Sequence, residues 1–126
     1  MVNSDNEASL LRGTRRLVVD SQRSGEGYFS ADGQRFIFQS EVPGDNPFYQ
    51  IYVQKLDSKT PRRISPGRGR TTCSYFSIDG KKILFASSHT DPQIEQTEQQ
   101  ARELAAKGGR RRYQWDFDKH MDIYVC

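Results

Sequence analysis

Two histidines, His89 and His120, bracket a polar stretch, and Asp91, Asp116, Asp118 and Asp122 lie close to them in sequence. Imidazole and carboxylate groups would suit a divalent cation if both ends of the stretch leave the same sheet edge. Their spacing matches no metal motif, however, and carboxylates beside loops are ordinarily solvated, so no metal ligand is assigned. Thr71, Thr72, Cys73 and Ser74 offer nucleophilic oxygen and sulfur. Neither histidine is tied to them by position, and a Cys–His pair has to meet in space. No phosphate-binding loop, zinc signature or nucleophile elbow occurs. The residues therefore assign no catalytic group and no cofactor. Recognition remains, and its densest candidate is Arg110, Arg111, Arg112, Tyr113 and Trp115. Guanidiniums beside aromatics could grip phosphates and stack bases. Asp116, Asp118 and Asp122 follow at once and cancel that field, which argues against nucleic acid. The preferred role is pairing, with the aromatics packed on a sheet and the arginines meeting carboxylates or a protein partner.

The elements that position these groups come from a repeat. Phe29-Ser-Ala-Asp32-Gly33-Gln-Arg-Phe-Ile-Phe-Gln-Ser40 matches Phe76-Ser-Ile-Asp79-Gly80-Lys-Lys-Ile-Leu-Phe-Ala-Ser87, 47 residues later and without a gap. Gln50-Ile-Tyr-Val53 is echoed by Asp122-Ile-Tyr-Val125 at a distance of 72, so the second copy holds 25 extra residues. Each copy reads as an antiparallel meander. The first has strands over 27–30, 35–41, 49–56 and 62–65, and the second over 71–77, 81–88 and 121–126. Asp32-Gly33 and Asp79-Gly80 mark tight hairpin turns, since glycine accepts the positive φ they need. Along 35–41, Phe36 and Phe38 fall on one face and Arg35, Ile37 and Gln39 on the other. Four antiparallel strands at a period in the forties predict an all-β fold of β-propeller blades, the second incomplete.

The tract F-S-x-D-G-x-x-φ-φ-F-x-S followed by φ-Y-V resembles the WD-repeat-like blades of the TolB-like β-propeller family, from about Thr14 to Cys126. Ala31 and Ile78 stand where those repeats usually carry proline. G-E-G-Y-F-S at 25–30, F-Q-S-E at 38–41, N-P-F-Y-Q-I-Y at 46–52 and T-T-C at 71–73 are similar to a subgroup often joined to bacterial hydrolases such as zinc aminopeptidases. The resemblance implies a protein- or peptide-interaction module, or an accessory propeller that positions substrate for a catalytic domain. It also implies a periplasmic home. The first residues show no signal peptide, so a genuine start would mean a cytoplasmic chain.

The expected organisation is a polar segment over 1–13, blade one over 14–66 and blade two over 67–126, with an insertion at 89–120. A ring needs about four to eight blades. The chain therefore reads as part of a longer propeller, or as one of several copies that close a ring together. Within the insertion a helix is predicted at about 92–107, with Asp91 as N-cap, Pro92 at the first position and Gly108-Gly109 as the stop. Ile94, Ala101, Leu104 and Ala105 give it a narrow apolar stripe. The net charge of +3, from 19 basic and 16 acidic residues, is too mild to demand a polyanion. No run is long and apolar enough for a membrane span. Cys73 and Cys126, two strands apart, are expected to be free thiols, with Cys73 buried. Loops before the innermost strands line a propeller's channel mouth. They make Arg70, Thr71 and Thr72 the candidate partner-binding residues, with Glu26 from the matching approach to blade one. By the 47-residue offset Glu26 is the counterpart of Cys73 and should sit at a similar depth.

Overall fold

The computed structural model describes residues 10–18, 23–109 and 118–126. Two antiparallel sheets follow one another along the chain. The first has strands β1 (Arg23–Phe29), β2 (Arg35–Glu41), β3 (Gln50–Lys55) and β4 (Arg62–Arg63), in the order β1-β2-β3-β4. The second holds β5 (Thr71–Phe76), β6 (Ile83–Ser87) and β7 (Asp122–Val125), in the order β5-β6-β7. Helix α1 (Ile94–Ala106) interrupts the second sheet between β6 and β7. These are two blade-type meanders of an all-β fold, the second with three strands among the described residues.

The two hairpin turns are built alike, and wider than a two-residue turn. In the first, Ser30 pairs with Arg35 through Ser30 N–H to Arg35 O at 2.9 Å, and Gly33 N–H reaches Ser30 O at 2.8 Å. In the second, Ser77 N–H to Lys82 O and Gly80 N–H to Ser77 O span 2.9 and 2.8 Å. Gly33 and Gly80 hold φ of +67° and +66°, where a side chain would be strained. Proline is not needed before Asp32 or Asp79, because the closing bonds come from the serine and the aspartate.

Alternation along β2 buries both of its faces. Phe36 and Phe38 join Tyr52 in one cluster, against which Leu17, Val18, Val42 and Leu56 pack. Ile37 turns the other way and joins Ile51 and Phe85, flanked by Val53, Ile64, Phe76, Ile83 and Tyr124. This second cluster is the seam between the sheets, where β5 packs against β2, β3 and β1. Arg35 also crosses the seam, stacked 5.1 Å over the Phe76 ring.

The insertion's helix starts later than predicted. Gln93, not Asp91, is the N-cap and makes no side-chain cap bond. Asp91 Oδ1 instead accepts the Gln93 N–H at 2.9 Å, and Asp91 O accepts Ile94 N–H at 3.1 Å. Asp91 and Pro92 thus form a turn that leads into the helix rather than its first positions. At the other end Gly108 N–H bonds Ala105 O and Gly109 N–H bonds Leu104 O, both at 3.0 Å, which closes the last turn as expected. The side turned to the protein is not purely apolar. Its most buried residue is Glu98, 3% exposed, whereas Leu104 is exposed.

Glu98 earns that burial by satisfying loop donors. Its Oε1 accepts Asn46 Nδ2 at 2.7 Å and Gly69 N–H at 2.8 Å, while Arg68 and Arg102 face Oε2 at 3.4 and 3.7 Å. Asn46 also donates to Gly67 O at 3.1 Å, and Gln50 donates to Gly69 O at 2.8 Å. Gly69, with φ +67°, passes so close that a Cβ would lie 2.9 Å from Ile94 Cδ1. The link between the sheets is therefore clamped from β3 on one side and from α1 on the other.

Candidate functional site

Both inner strands, β1 and β5, carry the same defect. On β1 the register steps from Gly25↔Gln39 to Tyr28↔Ile37, so Glu26 and Gly27 oppose Phe38 alone. On β5 it steps from Thr72↔Ala86 to Tyr75↔Leu84, so Cys73 and Ser74 oppose Phe85. These are β-bulges. Their first residues, Glu26 and Cys73, hold φ of +47° and +51°, a strained region for side-chain-bearing residues. Cys73 is exposed, which corrects the expectation of burial. Strict alternation would have turned it inward, and the bulge rotates it out. Glu26 is exposed as well, at the similar depth the offset implied. Cys126 is exposed and both thiols are free.

The bulges bring two tyrosines together. Tyr28 and Tyr75, 47 residues apart in sequence, have ring centroids 4.3 Å apart at an interplanar angle of 35°. Both rings are exposed. The Tyr28 phenol is held above its ordinary value, first by hydrogen bonding to Tyr75, then by the charge of that phenolate, by desolvation and by nearby Glu26 and Cys73. Glu26, Tyr28, Cys73 and Tyr75 thus form one exposed patch across the inner strands of the two sheets. Sequence reasoning passed over the tyrosines. The signal was present, because Tyr28 and Tyr75 each precede the Phe-Ser of a matched tract.

The remaining predicted residues separate. Thr72 reaches across the seam and donates to Gln39 Oε1 at 2.6 Å, with Cys73 Sγ 3.5 Å away. It borders the patch. Thr71 is buried, and its hydroxyl donates to Tyr49 O at 2.9 Å. Arg70 is half-buried, with its guanidinium 4.8 Å over the Phe48 ring and its N–H bonded to Ser88 Oγ at 3.1 Å. Asp32, Gly33, Asp79 and Gly80 hold the turns at the far ends of the same strands. The expectations for Arg110, Arg111, Arg112, Tyr113 and Trp115 fall outside the described residues.

The histidines part company. His120 Nε2 lies 3.5 Å from Asp91 Oδ1, so the two ends of the insertion do meet. His89 bonds Ser87 Oγ at 2.9 Å and packs on the Tyr124 ring at 4.3 Å. Among the described residues no three His, Cys, Asp or Glu side chains gather as metal ligands, and no helix is long and apolar enough to cross a membrane.

No protein-family profile matches the sequence, and no curated protein does. Among solved structures, a protein provisionally assigned as TolB from Agrobacterium tumefaciens is similar at 30% identity over 53% of this chain, with a TM-score of 0.44. The matched region is 24% of that protein, so this chain spans about a quarter of its length.

Proposed function

We propose that the chain is a non-catalytic protein- or peptide-interaction module built of propeller blades, and that its contact surface is the inner-strand patch. The observation that carries this reading is the exposed Tyr28–Tyr75 pair, set beside Glu26 and Cys73 by two matching bulges. Two tilted tyrosine rings in contact offer rigid amphipathic contact area at small entropic cost. The Glu26 carboxylate favours a ligand that brings a cation to the rings, a lysine or arginine side chain of an extended peptide. Thr72 borders this surface, and Arg70 and Thr71 hold the approach to it. The TolB resemblance would place such a module outside the cytoplasm, and that location belongs to the same proposal.

A random peptide library panned on the immobilised chain tests it. Enriched peptides should carry basic and aromatic residues, and their Kd by calorimetry should weaken at least about tenfold in a Tyr28→Ala/Tyr75→Ala variant, as expected when interface tyrosines are truncated. Circular dichroism of the variant should not change. Peptides that bind the double variant equally well, or no enrichment over bare support, would remove the assignment.

A further inference from the structure

Tyr28 and Tyr75 meet in a geometry that suits a covalent bond between them. Their ring centroids are 4.3 Å apart, close to the separation of two aromatic rings joined by one carbon–carbon bond. The two hydroxyls lie together as well, since hydrogen bonding to Tyr75 is the first cause of the raised Tyr28 phenol. The ortho carbons beside those hydroxyls are therefore neighbours. The other tyrosines of the two sheets are placed differently. Tyr49 lies under the Arg23 guanidinium, while Tyr52 stacks on Phe38 and Tyr124 on Phe85.

The contact is held in place by the fold. Each tyrosine directly follows a bulge of the same kind, opposite Ile37 on β1 and opposite Leu84 on β5. Strand β5 packs against β1, and the sealed cluster of Ile37, Ile51 and Phe85 fixes the two sheets against each other. Two phenols held this way meet at an effective concentration far above that of any second chain. Exposures of 37% for Tyr28 and 46% for Tyr75 leave both rings open to an oxidant in solution.

We infer that Tyr28 and Tyr75 form an oxidative cross-linking site, at which a peroxidase-type one-electron oxidant staples the two sheets through a biphenol. Each phenol loses one electron and its hydroxyl proton, and the two radicals form a bond between ortho carbons. The hydrogens left on those carbons move to the oxygens as aromaticity returns. The two electrons and two protons released reduce one hydrogen peroxide to two waters, so the chain loses two hydrogen atoms. The bond closes a loop between positions 28 and 75 and so restricts the unfolded chain, as a disulfide does. Cross-linking needs the geometry of the pair and no ligand, so it stands or falls separately from peptide binding.

The test uses the full chain with Cys73→Ser, which removes the neighbouring thiol as a competing reductant. It is treated with a haem peroxidase and limiting hydrogen peroxide at low protein concentration. Trypsin separates the two positions, releasing residues 24–35 with Tyr28 and residues 71–81 with Tyr75. Single chains should gain the fluorescence of a biphenol, weigh two hydrogens less and yield those two peptides joined. Tyr28→Phe and Tyr75→Phe should each abolish the joined pair with an unchanged β-sheet spectrum. The linked chain should also unfold at a higher urea concentration than the unlinked one. Links that form mainly between chains, or that spread equally over Tyr49, Tyr52 and Tyr124, would overturn the inference. A linked chain that unfolds as easily as the unlinked one would overturn the stapling of the sheets.

Discussion

A serine hydroxyl and an aspartate carboxylate close each hairpin loop. Ser30 Oγ donates to Asp32 Oδ1 at 2.6 Å and accepts the Arg35 N–H, while Asp32 Oδ1 also accepts the Gln34 N–H at 3.0 Å. Ser77, Asp79, Lys81 and Lys82 repeat the arrangement. These bonds favour the charged carboxylate. Both aspartates are held below their ordinary value of 3.8, first by the serine hydroxyl and next by the backbone N–H of Gln34 or Lys81. The sign follows from linkage. A depressed folded-state value adds stability above the unfolded value, and that contribution disappears as pH falls through the depressed one. Urea midpoints of the wild-type chain should therefore drop below about pH 4. An Asp32→Asn/Asp79→Asn variant, less stable at pH 7, should show a flatter profile and approach wild type near pH 2. Parallel profiles for the two proteins would mean that these carboxylates are not the acid-sensitive groups.

Helix α1 is held by the hydrogen bonds of a buried polar side chain as well as by its apolar stripe. The Glu98 carboxylate satisfies Asn46 and Gly69 at once, in a site 3% exposed. Glu98→Ala should leave both donors without an acceptor and cost about 3 kcal/mol, whereas Glu98→Gln keeps an acceptor and should cost about 1 kcal/mol. Chemical denaturation of the two variants checks this, and equal losses would mean that packing, not hydrogen bonding, holds the helix. The contrast shows what the sequence could reveal. The matched Phe-Ser-x-Asp-Gly tracts announced the meanders, because a turn needs particular residues at particular places. The alternation of Phe36, Ile37 and Phe38 announced that both faces of β2 are covered. A glutamate on a polar helix reads as solvated, since its partners, Asn46 and Gly69, lie 52 and 29 residues away. Likewise the bulges were hidden by the assumption of strict alternation, and with them the exposure of Cys73 and the meeting of Tyr28 with Tyr75. Of the partner-binding residues chosen from sequence, Glu26 lies at the patch and Thr72 borders it, whereas Cys73 reads from the sequence only as a buried thiol.

Across the whole molecule, one repeat position has two fates. Ile51 is sealed in the seam with Ile37 and Phe85, and its counterpart Ile123 is 66% exposed. The same substitution should therefore behave differently at the two sites. Ile51→Ala removes methyl groups from a packed interior and should cost about 2–5 kcal/mol at any protein concentration. Ile123→Ala removes them from a surface in the single chain, where about 0.5 kcal/mol or less is at stake. Ile123→Ala should therefore leave the Tm nearly unchanged, whereas Ile51→Ala should lower it clearly. Scanning calorimetry of the two variants checks this, and equal losses would mean that the surface around Ile123 is packed as tightly as the seam that joins the two sheets.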